Sequence, residues 1–446
     1  MNNLATKLRT TDSTPIADVL LPVAHHFLGD DAPIAVQTWD GTRAGPADAP
    51  LTAVVRSPDA LRHIMWAPGE LGLARAYVAG ELDLEGDLAL LLKIGDRQPS
   101  PEPRRRPFAG AETAAALVRA ARRLGVVGRR PPSPPEEIRL RGRRHSRARD
   151  AQAVSHHYDV GNRFFEMLLG PSLTYSCAYW TDPDGGTLEE AQAAKHDLVA
   201  RKLGLRPGMR LLDVGCGWGS MALHAAQVYG TQVVGITVSR EQQRLASERV
   251  AAAGLADLVE IRLQDYREIS DGPFDAISSI GMFEHVGEQR MEEYLTDLYR
   301  LLTPTGRLLN HAISRPSPSA NSAVDPRSFM GRYVFPDSAL MEVGNVVSAM
   351  QRTGFEVRDV QSLREHYART LHAWSANLEA HWDEAQAEAG PGRARVWRLY
   401  LLASAIGFDE NRTSIHQVLA ARPDSRGFSA MPATRAGMDV ATARRA

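Results

Sequence analysis

The chain is poor in cysteine, with Cys177 and Cys216 as its only two. Both lie inside motifs, so neither a disulfide framework nor a four-ligand zinc site is readable, no metal is expected, and a reducing cytoplasm fits. Long apolar runs are missing as well. No stretch reaches the roughly 20 residues of a membrane-spanning helix. The polar segment Met1–Pro15 also lacks the charged start and apolar core of a secretory leader. The expectation is a soluble or peripheral protein. Net charge is nearly absent too, since 52 Lys and Arg face 53 Asp and Glu. Attraction to a polyanion would therefore have to come from a local patch.

Such a patch exists. From residue 98 to 150 the composition shifts to proline and arginine, including Arg104-Arg105-Arg106, Arg122-Arg123, Arg129-Arg130 and Arg143-Arg144. This reads as a semi-rigid linker around one helix, Ala111–Leu124. It is either simply solvated or a docking strip for an anionic membrane surface. Aromatic residues are almost absent from it, so it lacks the stacking platforms of a nucleic-acid binder and no nucleic acid is expected.

The 446 residues, 43% of them hydrophobic, are enough for two cores. Residues 1–97 read as a small α+β accessory domain. Pro33–Trp39 is a predicted strand, Asp40-Gly41 a turn, Leu51–Arg56 the partner strand, and helices start at Ser57 and near Leu71. Residues 151–423 read as the catalytic domain. The tail 424–446, rich in alanine, glycine and arginine, reads as disordered.

The catalytic part opens on Leu211-Leu212-Asp213-Val214-Gly215-Cys216-Gly217-Trp218-Gly219, an apolar strand running into three alternate glycines. A helix, Ser220–Val228, follows. Glycine tolerates positive φ and has no Cβ, so backbone N–H groups can approach a nucleotide-like ligand. GxGxG lacks the longer dinucleotide span and the Gly-Lys-Ser/Thr ending of a phosphate loop, which argues against NAD and ATP. The next strand, Gln232–Thr237, ends in Thr237 with Gln242 one turn on, where a dinucleotide site would place an acid. Val259–Leu263 leads to Gln264-Asp265-Tyr266, and Phe274–Ile280 leads to Gly281-Met282-Phe283-Glu284-His285. Polar residues at successive strand ends predict a site along the carboxyl edge of an open parallel α/β sheet; tight packing alone is the plainer explanation of the glycines.

Ahead of the sheet lie Ser155-His156-His157-Tyr158 and Tyr175-Ser176-Cys177-Ala178-Tyr179-Trp180, dense enough in polar and aromatic groups to form a lid. His156 and His157 would equally serve to cap a helix, Cys177 to fill a core, and Glu284 to act as a first-turn carboxylate.

Taken together, HYDVGN, YSCAYW, DVGCGWG, VVGITVS with EQQ, QDYR, GMFEHVG, LLNHAIS, YVFPD and HYARTLHAW resemble the cyclopropane fatty-acid synthases from His156 to about Gln417. The N-terminal GLARAYVAGELDLEG is similar to the accessory domain of the phospholipid-acting members. The resemblance implies a Rossmann-like class I methyltransferase fold with a seven-stranded, mostly parallel sheet, and S-adenosylmethionine as cofactor. Asp213, Gly215, Gly217 and Gly219 would bracket its methionine part and ribose. Thr237 and Gln242 would hold the ribose, Gln264 and Asp265 would flank the adenine, and Tyr175 and Ser176 would close over it.

The resemblance further implies a bicarbonate ion as general base, held by Cys177, Glu284, His311, the backbone at Ile313, and Tyr367. Glu284, His311, Tyr367 and Cys177 are thus the catalytic candidates. The expected reaction adds the cofactor's methyl carbon to the cis double bond of an unsaturated phospholipid acyl chain and closes a cyclopropane ring. Loss of the proton elsewhere would leave a methylene branch. Readings of another kind are a methyltransferase for a soluble substrate or a catalytically silent lipid-binding protein. An anion beside Glu284 predicts a raised Glu284 pKa or a protonated His311. A homodimer or higher oligomer and attachment to the inner face of the membrane are also implied.

Overall fold

The structure is a computed structural model and describes residues 14–28, 32–88, 90, 111–138, 140, 142, 146, 149, 152, 160–316 and 323–438. His156, His157, residues 98–110 and most of 139–159 lie outside the described residues. The chain divides into two compact units. Unit 1 comprises residues 1–138, 327–334 and 390–406, and unit 2 comprises 139–326, 335–389 and 407–446.

In unit 1, β1 (Ile34–Thr38), β2 (Arg43–Ala44), β3 (Leu51–Val55) and β4 (Leu82–Gly86) form a four-stranded sheet in the order β2-β1-β3-β4. The turn at Asp40-Gly41 forms because Asp40 Oδ1 accepts the Thr38 hydroxyl at 2.6 Å and the Thr42 N–H at 3.1 Å. The return strand β2 is two residues long, and β3 then enters parallel to β1, not as an antiparallel partner across the turn. Helix α1 (Ile16–Leu28) covers the sheet, with α2 (Pro58–Trp66), capped by Ser57, and α3 (Glu70–Val78).

Helix α4 (Ala111–Arg123) was expected inside a linker, but it belongs to this unit's core. Ala120, Ala121, Leu124 and Val126 are buried with Leu20, Val36 and Leu61. The arginines occupy the outer face of a helix whose inner face is apolar. Further along, Glu137 is clamped by Arg75 through two bonds of 2.8 and 2.7 Å. The accessory unit therefore extends to Ile138, beyond the expected boundary at residue 97. Residues 390–406 complete it, with Leu399 and Leu402 against the second apolar cluster and Arg395 paired to Asp83 at 2.9 Å.

Unit 2 is built on β5 (Arg210–Val214), β6 (Gln232–Thr237), β7 (Val259–Leu263), β8 (Phe274–Ile280), β9 (Leu302–Ser314), β10 (Glu356–Ser362) and β11 (Ser414–Ala421). Their order is β10-β11-β9-β8-β5-β6-β7. Only β11 runs antiparallel to its neighbours. The fold is the expected seven-stranded, mostly parallel sheet. Both faces of the central strands β5, β6 and β8 are buried, which is why they read as largely apolar, whereas the edge strands β7 and β10 are partly exposed. Alternation puts Leu212 and Ile277 in one core and Leu211 and Ala276 in the other.

The helices that matter to the site are α5 (Asn162–Leu169), α6 (Leu188–Leu203), α7 (Ser220–Tyr229), α8 (Arg240–Ala252), α9 (Phe283–Val286), α10 (Met291–Leu301), α11 (Val343–Arg352) and α12 (Arg364–Ala380). The chain leaves β5 to one side for β6 and β7, then returns to its other side for β8 and β9. That reversal opens a crevice at the carboxyl end of β5.

The segment expected to be a disordered tail has no helix or strand between 424 and 438, but it is packed. Met438 is buried beside Met431 in the core that holds Leu211, and Arg435 pairs with Asp359 at 2.6 Å.

Candidate active site

At the end of β5 an open cleft of about 1240 Å³ is lined by Tyr175, Ser176, Asp213, Gly215, Gly217, Thr237, Gln242, Gln264 and Asp265, among others. Gly215, Gly217 and Gly219 all take left-handed φ, at +74°, +55° and +80°. They do different jobs. A Cβ on Gly215 would fall 2.3 Å from Met282 Cγ, so that glycine is demanded by packing. A Cβ on Gly217 would meet nothing within 4 Å, so there the backbone is bared to the cleft. Gly219 starts α7.

Asp213 is buried, its Oδ1 accepting from Ser278 Oγ at 2.7 Å while Oδ2 has no partner. Burial lifts its pKa to about 6, with the Ser278 bond and the nearby Lys195 charge working against the rise. Thr237 Oγ1 donates to Gln242 Oε1 at 2.8 Å, locking the pair at the end of β6. At the end of β7, Gln264 Nε2 donates to the Glu268 carbonyl at 3.0 Å, and Asp265 is bound by the Arg267 guanidinium and backbone. A bared glycine backbone, an orphaned carboxylate oxygen and ordered polar ends on three adjacent strands fit an adenosyl amino acid.

The segment over the cleft is anchored on two sides. Gln192 of α6 donates to the Ser176 carbonyl at 2.9 Å, and Thr370 of α12 accepts the Ala178 N–H at 3.1 Å. Tyr175 packs its ring 5.2 Å from that of Trp374.

The other candidates lie beside the cleft and form two groups. In the first, Glu284, in the first turn of α9, accepts the Ile313 N–H on Oε1 at 2.8 Å. Its Oε2 is buried without a partner, and burial raises its pKa to about 7. His311, two residues before Ile313 on β9, meets Gln417 Nε2 through Nδ1 at 3.1 Å, and its Nε2 is also buried and unpartnered. Where the Gln417 amide donates to Nδ1, the ring proton sits on Nε2. Burial and the charges of Lys195 and Lys202 push the His311 pKa down, so the ring is neutral. Of the two expected signs of an anion site, the raised Glu284 is present and the protonated His311 is not. At Ile313, whose backbone the resemblance implies as a ligand of the ion, the N–H donates to Glu284.

In the second group, the Cys177 thiol has the Ala178 carbonyl as its nearer acceptor at 3.1 Å and lies 3.7 Å from the Leu363 carbonyl, which accepts the Tyr367 N–H at 3.0 Å. Cys177 is fully buried and burial drives its pKa well up, so the thiol stays protonated and is no nucleophile. The Tyr367 ring lies 4.7 Å from Phe408 and 6.0 Å from Trp374, completing an aromatic wall. The Lys195 charge acts on Cys177 and on His311, and so on both groups.

A family profile described as mycolic acid cyclopropane synthetase matches residues 145–418. The chain belongs to that family. Over 412 residues it is 42% identical to a probable fatty acid methyltransferase of Mycobacterium tuberculosis, covering 90% of this chain and 93% of the relative. Over 393 residues it is 34% identical to the cyclopropane-fatty-acyl-phospholipid synthase of Escherichia coli K12, covering 87% and 93%. Among solved structures, the mycolic acid cyclopropane synthase CmaA1 complexed with SAH and CTAB matches with 35% identity and a TM-score of 0.57, over 60% of this chain and 97% of that one. This member of the cyclopropane synthetase family is an enzyme, an S-adenosylmethionine-dependent methyltransferase.

The sequence reading of this synthetase-family chain passed over Lys195, Ser278 and Gln417. The signal for Lys195 was available. Along α6 the inward positions Leu188, Gln192, Lys195, Val199 and Lys202 are buried, which puts polar residues at core spacing on one face.

Proposed function

We propose that the chain transfers the methyl carbon of S-adenosylmethionine to the cis double bond of an unsaturated phospholipid acyl chain and closes a cyclopropane ring. The observation that carries this is the pair of buried, unpartnered polar atoms Glu284 Oε2 and His311 Nε2. A carboxyl titrating near 7 and, with Gln417 donating to Nδ1, the N–H at His311 Nε2 would be two donors for a small oxyanion. They fit bicarbonate, which would supply a base for the proton lost from the new methyl group.

When bound, the cofactor supplies an electrophilic methyl group. Gly217, Thr237, Gln242, Gln264 and Asp265 are placed to hold its adenosine. A double bond is a feeble nucleophile, so the main work of the protein is alignment. The rings of Tyr367, Trp374 and Phe408 offer negative faces to positive charge developing on the acyl chain, and their apolar wall keeps water from quenching it. Glu284, fixed by the Ile313 N–H, and His311, fixed by Gln417, hold the base where the proton is released.

A catalytically silent lipid binder would have no use for a buried carboxyl of raised pKa together with an imidazole whose Nε2 has no partner. The arginines between residues 104 and 149 would dock the enzyme on the anionic inner face of the membrane as a cytoplasmic, peripheral protein. Arg149 is set apart from that strip by its two bonds to Asp337, of 2.5 and 3.0 Å. Assembly as a dimer through unit 1 is part of the same reading.

Expression in cells rich in monounsaturated phospholipid, followed by mass spectrometry and proton NMR of the lipids, tests the reaction. Cyclopropane ring protons are expected. Exocyclic methylene signals without them would replace ring closure by the branched product.

A further inference from the structure

Lys195 has no assigned task, yet its side chain is only 1% exposed and it lines the cleft. Burying an ammonium group is costly unless it is used. Its Nζ donates to Ser176 Oγ at 3.0 Å. An ammonium group can only donate, so Ser176 Oγ is the acceptor and its own O–H must point to another acceptor. Gln192 holds the Ser176 backbone in place through the bond to its carbonyl, and Lys195 holds the hydroxyl oxygen. Lysine and serine together make a donor set that lacks an anion.

The groups around Lys195 do not supply one by contact. Cys177 on the covering segment is a protonated thiol, and His311 on β9 and His196 on α6 itself are neutral. Asp213 on β5 acts on the lysine through its field, and no ion pair forms between them. The layout of the sheet says which part of a ligand would arrive. Thr237 and Gln264 end β6 and β7 on one side of β5, whereas α6 packs on β8 and β9 on the other. With adenosine on the first side, the amino-acid end falls on the second. Its carboxylate is the anionic group of the cofactor.

We propose that Lys195 is a positioning residue that, through the Ser176 hydroxyl, recognises the amino-acid carboxylate of the bound cofactor. This rests on reading the cleft as the S-adenosylmethionine site. S-adenosylhomocysteine carries the carboxylate, whereas 5′-methylthioadenosine keeps the adenosine and sulfur and lacks it.

Calorimetric titration of the full chain with both ligands, in bicarbonate-free buffer near pH 6.5, tests the assignment. Lys195→Met is expected to weaken S-adenosylhomocysteine by about 10- to 100-fold, the range of a charged hydrogen bond, and to leave 5′-methylthioadenosine within about twofold. Ser176→Ala carries the same prediction should Lys195→Met fail to fold, and the double variant should be no worse than the weaker single one. Wild-type affinity for S-adenosylhomocysteine should fall as pH rises above 7, where the buried lysine loses its proton, with no such slope in Lys195→Met. Equal loss for both ligands, no loss for either, or loss that appears only when bicarbonate is added would each overturn the assignment. Failure of the wild type to bind either ligand would instead overturn the reading of the cleft.

Discussion

Glu284 Oε1 takes the Ile313 N–H at 2.8 Å, and the bond that aims the carboxyl leaves Oε2 alone in the interior. Such an arrangement is poor for stability and good for handling a proton. Glu284→Gln keeps an acceptor for the Ile313 N–H but removes the exchangeable carboxyl proton. Turnover is expected to fall by about 10²–10⁴-fold, the range for a general acid or base, while S-adenosylhomocysteine binding stays within about twofold. Lipid product analysis and calorimetry read the two effects separately.

The same residue gives a stability signature. Its folded pKa of about 7 lies above the ordinary 4.5, so between these values the folded protein holds more protons than the unfolded chain. Stability contributed here is therefore lost as pH rises from 4.5 through 7, by about 3 kcal/mol in all. Asp213 acts in the same direction and Lys195 in the opposite one, so the wild type alone is ambiguous. The difference between wild type and Glu284→Gln isolates the carboxyl. The variant's gain in melting temperature over wild type should be larger at pH 8 than at pH 5, and an unchanged gap would contradict the burial argument.

The glycine turn separates packing from ligand contact. Gly215→Ala is expected to lower the melting temperature strongly, because its methyl collides with Met282. Gly217→Ala has open space around it and should pay only the left-handed penalty of about 1–2 kcal/mol. Its cofactor affinity should fall more than tenfold, because the added methyl occupies the ligand's approach. Thermal melts and titrations on both variants distinguish the two roles.

Docking through the arginine strip should be electrostatic. The fraction of protein sedimenting with phosphatidylglycerol vesicles is expected to drop as salt rises from about 0.05 to 0.5 M, where screening shortens to a few ångströms. Binding indifferent to salt would count against it.

Much of the catalytic sheet was legible because its central strands are apolar on both faces and the strands lining the cleft end in glycine or polar residues. Gln232–Thr237, Val259–Leu263 and Phe274–Ile280 fall where the sequence puts them. The direction of Leu51–Val55 was not legible, since the path of the preceding loop and not the strand's own residues decides it. Helix Ala111–Arg123 was legible as a helix, but its arginines hid its place in a core, which its inward alanines and Leu124 pack. Lys195 escaped because a lysine in a helix reads as solvated until its neighbours on the same face are seen to be buried.

Unit 1 gathers residues 1–138, 327–334 and 390–406. A ribosome therefore releases most of this unit long before the segment bearing Arg395, Leu399 and Leu402 exists. The side of its apolar cluster that Leu399 and Leu402 cover stays open while some 250 further residues are made, at about 5–20 residues per second. Unit 1 thus emerges ahead of unit 2 and is among the last parts to be finished. Residues 1–138 produced alone should lack a cooperative melt, and adding residues 390–406 as a peptide should restore one. A sharp transition in the isolated fragment would show that the late segment is dispensable.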